Sequence, residues 1–105
     1  MSPSPMIDVA SIKEIPLGKT KRIRLANGQA VLLCNVAGAI FAVDDQCTHE
    51  DASLYLGCLK GEEIHCSLHG GRFNVKTGAP THEPAEIALK TYKVTIEQER
   101  ILLEL

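Results

Sequence analysis

The stretch TKRIRLANGQAVLLCNVAGAIFAV, residues 20–43, decides the fold class. Ile23 and Leu25 alternate with Arg22 and Arg24, the period of a strand with one buried face. Asn27-Gly28 comes next, a pair suited to a two-residue hairpin turn in which both central residues need positive φ. Gln29 to Val36 then runs back as a partner strand. Ala37-Gly38 turns the chain again, and Ala39 to Val43 makes a third strand. The reading is an antiparallel meander.

Outward from the meander the texture changes. Residues 44–84 carry Asp, His, Cys, Gly and Pro with little periodicity, and contain two short strand-like pieces, Glu62–Cys66 and Arg72–Val75. From Ile87 the alternation returns, with Tyr92, Val94 and Ile96 on one face and Lys93, Thr95 and Glu97 on the other. A polar turn near Gln98–Arg100 leads into Ile101–Leu105, and Ala85–Lys90 has room for a short turn at most. The expectation is an all-β chain forming one domain over residues 1–105. Its base comes from both ends, 6–43 and 85–105, with a loop-rich subdomain, 44–84, inserted between them.

The totals narrow the function classes. A chain of 105 residues buries roughly two-thirds of its unfolded surface, enough for one core, and 45% hydrophobic content fits a folded globule. Trp is absent and aromatic residues make up 4%, so platforms for stacking bases are missing. A formal charge of −2 gives no general attraction to phosphates, which argues against nucleic acid as a partner. Lys19, Lys21, Arg22 and Arg24 form a basic run that reads as a solvated strand face. Met1–Pro5 has neither a basic nor an apolar export region and reads as a loose tail. Ala30–Val43, the longest apolar stretch, falls short of the ~20 residues of a spanning helix and is interrupted by Asn35 and Gly38. A cytoplasmic protein with no membrane contact is the expectation. There, cysteines point to metal ligands or catalysis before disulfides.

Four residues carry the chemistry: Cys47 and His49 in Cys47-Thr48-His49, and Cys66 and His69 in Cys66-Ser67-Leu68-His69. Thiolate and imidazole suit iron–sulfur clusters, zinc or copper. Gly70-Gly71 follows the second pair, and glycines let backbone N–H groups approach a cluster closely. Zinc fingers commonly put two like ligands in each arm. Here each arm contributes one Cys and one His, the arrangement a binuclear centre needs if one iron takes both cysteines and the other both histidines. A zinc-stabilised interaction module stays open as an alternative.

With these residues the chain resembles the bacterial Rieske ferredoxins that serve aromatic-ring-hydroxylating dioxygenases. The likeness rests on Cys47-Thr48-His49-Glu50 and Cys66-Ser67-Leu68-His69-Gly70-Gly71-Arg72-Phe73. Thr77-Gly78, Pro80 and Pro84 look like that family's proline loop, which shields the cluster. The resemblance implies stacked antiparallel sheets with the cluster held by the inserted subdomain. It implies one [2Fe–2S] cluster per chain on Cys47, His49, Cys66 and His69, and a one-electron carrier that is not itself an enzyme. The partners it implies are a flavin-dependent ferredoxin reductase and the terminal Rieske oxygenase, met by a monomer. The small Rieske-like subunit of a nitrite reductase, a further alternative, is similar in size.

Respiratory Rieske proteins carry an extra Cys in each ligand loop, joined as a disulfide; Ala52 and Leu68 stand in those places here. Those proteins also have a Ser and a Tyr that donate hydrogen bonds to sulfur, where this chain has Gly71 and Phe73. Fewer donors stabilise the reduced cluster less. The expectation is a potential toward the low end of the range of roughly −150 to +300 mV. Asp44, Asp45, Glu50 and Asp51 are candidates for steering a basic partner, though an ordinary solvated loop explains them as well. Cys34 reads as a small buried hydrophobe and Cys58 as a surface thiol. His65 should point away from Cys66 by alternation, and His82 reads as an exposed loop histidine.

Overall fold

A computed structural model describes residues 6–47, 52–67, 70–83 and 85–104. Thirteen short elements follow one another along these residues. The strands are β1 (Met6–Ser11), β2 (Thr20–Arg24), β3 (Ala30–Val36), β4 (Ala39–Asp44), β5 (Cys58–Lys60) and β6 (Glu63–His65). They continue as β7 (Arg72–Asn74), β8 (Pro80–His82), β9 (Thr91–Tyr92), β10 (Val94–Glu97) and β11 (Arg100–Glu104). Single 3₁₀ turns occupy Ile12–Glu14 and Leu54–Leu56. All strand pairs are antiparallel, in three sheets ordered β1-β11-β10, β2-β3-β4-β9 and β5-β6-β7-β8.

The run Val31-Leu32-Leu33-Cys34 explains how the sheets stack. A strand with one wet face alternates apolar and polar residues, whereas one buried on both faces reads as continuously apolar. Val31 and Leu33 pack into one core with Ala10, Ile15, Ile101 and Leu103, the residues of the first sheet and its flanking turn. Leu32 and Cys34 point the other way, into a second core with Ile64 and Phe73 from the third sheet and Val75 just beyond it. β4 divides likewise, Ile40 and Ala42 to the first core and Val43 to the second. The middle sheet therefore lies between the other two, and the three stacked layers match the expected all-β architecture.

Several local expectations are corrected. Met6–Ser11 is a strand that no sequence signal had picked out; it pairs with β11 and is tied there by Asp8 and Arg100. Tyr92 and Val94–Ile96 do not form one strand with a common buried face. β9 pairs with β4 and β10 pairs with β11, so the chain changes sheets at Lys93, leaving Tyr92 buried and Ile96 exposed. Two adjacent sheets each need a partner there, and alternation within one segment does not reveal the switch.

The turns also exchange roles. Leu25 N–H donates to Gln29 O and Gly28 N–H to Leu25 O, and only Gly28 of the Asn27-Gly28 pair has positive φ (88°). That is a three-residue loop closed by a left-handed glycine, with the Asn27 side chain accepting from Gln29 N–H. The two-residue turn with both φ values positive falls instead at Ala37-Gly38 (53° and 97°). Pro80, expected in an irregular loop, lies in β8 at a register shift beside Phe73, an edge position where its missing N–H costs no ladder bond. Pro84 lies outside the described residues.

Candidate metal centre

Two hairpin loops hold the candidate ligands, and they are built on the same frame. An antiparallel bridge between Gln46 and Ser53 closes the first; the β6–β7 pair His65 and Arg72 closes the second. In the first, Cys47 N–H donates to Ala52 O at 2.9 Å. In the second, Cys66 N–H donates to Gly71 O at 2.7 Å, the same offset along the chain. Each Cys thus opens its loop, with its amide spent on closure and its side chain turned inward. Cys47 is 2% exposed and Cys66 5%, and both belong to the apolar cluster that includes Leu54, Phe73, Ala85 and Leu89. His49 and His69 lie outside the described residues, as do Thr48, Glu50, Asp51 and Leu68.

The two loops are held together where Gly57 follows the Leu54–Leu56 turn. A Cβ placed on Gly57 would sit 1.8 Å from His65 O and 3.2 Å from Ser67 N, the backbone on either side of Cys66. The arm leaving the Cys47 loop therefore rests directly on the backbone of the Cys66 loop. The φ of Gly57 is negative (−87°), so the requirement for glycine here is one of space. No sequence signal marks this, since a glycine after a turn is commonplace.

The first loop is also anchored by a charge. Asp45 is 4% exposed; its carboxylate accepts from the Ser53 hydroxyl and from Tyr55 N–H (2.9 Å), and its carbonyl accepts from Leu54 N–H (2.6 Å). Arg22 Nη1 lies 4.0 Å from the same carboxylate and donates to Ser53 Oγ at 3.0 Å, while its guanidinium sits 4.9 Å from the Tyr55 ring centre. Beside it, the Tyr92 hydroxyl donates to Asp44 Oδ1 (2.5 Å), and Gln29 Nε2 donates to Asp44 Oδ1 (2.9 Å) and to the Tyr92 oxygen (2.7 Å). Burial first, and Asp44 second, push the Tyr92 hydroxyl well above the ordinary phenol range. Asp44 and Asp45 are thus internal anchors and not the exposed steering charges considered from the sequence. Glu50 and Asp51 lie outside the described residues.

The residues set aside fall mostly as expected. Cys34 is completely buried, Cys58 is exposed, and none of the four cysteines is in a disulfide. His65 lies on the outer face of the third sheet, between Cys58 and Arg72, away from the buried Ile64. Burial first, then Arg72 and Lys60, hold its ring below the usual imidazole range. His82 is exposed but belongs to β8, opposite Arg72, and not to a loop. Within the basic run Lys21 pairs with Glu14 and Arg22 with Asp45, so two of its four charges have acidic partners.

The donor set fits a binuclear iron–sulfur centre. The two cysteines of the equivalent loops are buried in one apolar cluster, where an isolated thiolate is costly and a thiolate on iron is stabilised. Among the described residues, which include Cys47 and Cys66 but neither His49 nor His69, no group of three or more His, Cys, Asp or Glu side chains gathers to hold a metal. The model of the Rieske [2Fe-2S] domain matches residues 6–93. The chain belongs to the Rieske [2Fe-2S] domain family. A Rieske family membership implies a [2Fe–2S] cluster as the cofactor. A ferredoxin component of naphthalene 1,2-dioxygenase/salicylate 5-hydroxylase systems from Ralstonia sp. is 41% identical over 94% of both chains. The Sphingomonas yanoikuyae B1 ferredoxin is 32% identical with a TM-score of 0.92, covering 96% of this chain and 99% of that one. A ferredoxin solved in complex with the reduced oxygenase of carbazole 1,9a-dioxygenase is 29% identical with a TM-score of 0.90, over 94% and 92% of the chains. No helix among the described residues is long and apolar enough to cross a membrane.

Proposed function

We propose that this chain is the ferredoxin component of an aromatic-ring-hydroxylating dioxygenase system, carrying single electrons from a flavin-dependent ferredoxin reductase to the terminal Rieske oxygenase. The observation that carries this reading is the pair of equivalent loops, each opening on a buried cysteine, in a chain whose relatives match along nearly its whole length as ferredoxin components. Cys47 and Cys66 would hold one iron, and His49 and His69 the other, of one [2Fe–2S] cluster per chain. When bound, that cluster supplies a site that takes up and releases one electron.

The protein's own residues have three tasks. Closure of each loop by its cysteine amide fixes where the sulfurs stand, so little rearrangement accompanies a change of charge. Leu54, Phe73, Ala85 and Leu89 exclude water from the cysteine side. The base supplied by residues 6–43 and 85–105 carries the 44–84 subdomain. The chain is a monomer acting in the cytoplasm, and it docks briefly, because a carrier must leave one partner to meet the next. It performs no bond chemistry of its own.

Electron paramagnetic resonance of the dithionite-reduced protein tests the reading. A signal from a one-electron-reduced, histidine-ligated [2Fe–2S] centre is expected, with iron and sulfide each near two per chain. A colourless, silent protein containing zinc would overturn it. Reduction by a ferredoxin reductase and reoxidation by a Rieske oxygenase, each followed through visible absorbance, then test the two partners separately.

A further inference from the structure

We propose that Asp45 and Arg22 form a positioning pair that clamps the Cys47 loop and sets how readily the site accepts an electron, with Asp45 opposing reduction and Arg22 favouring it. The proposal rests on the cluster reading given above. Its starting point is a redundancy. The Cys47 loop is already closed by the Gln46–Ser53 bridge and by the bond from Cys47 N–H to Ala52 O. A neutral residue at position 45 could still accept from Tyr55 N–H, so closure alone does not call for a buried carboxylate.

What the carboxylate adds is charge, placed where water screens it poorly. Asp45 is 4% exposed, and it reaches across the loop to Ser53 at the closing bridge and to Tyr55 in the 3₁₀ turn that follows. Inside a protein the effective dielectric is several times lower than in water, so a fixed charge acts over a longer distance. The Cys34 thiol is fully buried in the same apolar cluster as Cys47 and Cys66. Burial chiefly, and the Asp45 charge secondarily, push it up to about 12. Asp45 itself stands two residues before Cys47, beside the Gln46–Ser53 bridge that closes the first ligand loop, so its charge lies next to the candidate ligands. Adding an electron there places a second negative charge near it.

Arg22 is the counterweight. It approaches Asp45 at 4.0 Å from the solvent side, bonds Ser53 Oγ, and lies over the Tyr55 ring. Its side chain is 35% exposed, so its charge is partly screened and its opposing effect should be the smaller of the two. The clamp thus ties the geometry of the first ligand loop to a matched pair of charges, one inside and one at the surface.

The test uses the full chain loaded with its cluster, as wild type and as Asp45→Asn, Arg22→Met, the double variant and Ser53→Ala. Midpoint potentials are read by redox titration of the visible absorbance. Asp45→Asn preserves shape and should raise the equilibrium constant for reduction several-fold, each tenfold being about 59 mV for one electron. Arg22→Met should lower it by a smaller factor, and the double variant should fall between. Ser53→Ala removes a clamp bond without changing charge and should leave the midpoint near that of the wild type. Shifts of the same sign for Asp45→Asn and Arg22→Met would overturn the proposal, as would no shift in either. So would a Ser53→Ala shift as large as that of Asp45→Asn, because the clamp would then act through structure alone. Failure of the cluster reading looks different: the wild-type protein itself would show no reversible iron–sulfur absorbance.

Discussion

Replacing Gly57 by alanine is the sharpest test of how the two ligand loops are held. The new Cβ would stand 1.8 Å from His65 O, where contacts below 3.0 Å essentially never occur, so the backbones must part by about 1.2 Å. Neither side yields cheaply. His65 is paired with Cys58 and with Arg72, and the Gly57 amide is bonded to Leu54 O. Forcing one extra methyl into packed structure typically costs about 1–3 kcal/mol, from a total stability on the order of 5–15 kcal/mol. For a chain of this size each kcal/mol lowers Tm by roughly 4–8 °C, so a fall of about 4–24 °C is expected. Because the contact flanks Cys66, cluster content should fall along with Tm. The assay is thermal unfolding of the loaded protein together with iron per chain and the visible spectrum. Gly61→Ala is the control: its φ of 60° strains an alanine, but nothing lies within 4 Å, so some stability should be lost and the cluster kept. A Gly57→Ala protein that melts with the wild type and carries a full cluster would refute the reasoning.

Three further outcomes are expected. Gly71 and Phe73 offer no hydroxyl near the cysteines, so the midpoint should lie toward the low end of the roughly −150 to +300 mV range; a strongly positive value in a redox titration would contradict this. Tyr92 has its hydroxyl pKa raised above the ordinary 10.0, so the folded state binds that proton more tightly than the unfolded state does. Its contribution is full below pH 10 and is lost as pH climbs toward the folded-state value. Tyr92→Phe should therefore lower stability at neutral pH by about 1–2 kcal/mol and flatten the alkaline decline, both read from urea unfolding across pH. In the native protein an alkylating reagent should modify exposed Cys58 and spare Cys34, whose buried thiol is pushed up to about 12; mass spectrometry of the peptides shows which was labelled.

The ligand pattern and the class of fold were legible in the sequence because both are local. Cys47-Thr48-His49 and Cys66-Ser67-Leu68-His69 point to a metal by residue type and spacing, and the proposed ligand set rests on them. Val31-Leu32-Leu33-Cys34 records burial on both faces, since every side chain in it is apolar. The hairpin from β10 to β11 and the short strands β6 and β7 could be read for the same reason.

Tertiary structure alone decided the rest, because those features depend on what lies opposite a residue and not on its neighbours in the chain. Asp45 looked like an exposed acid until Ser53, Tyr55 and Arg22 closed around it. The change of sheet at Lys93 reflects two partners, β4 and β11, that are far apart in sequence. The equivalence of the Cys47 and Cys66 loops appears only in their closing hydrogen bonds, and the need for glycine at 57 only in the backbone that crosses it. Consecutive residues encode ligand chemistry and strand period; which charges are buried and which backbones touch is fixed by long-range pairing.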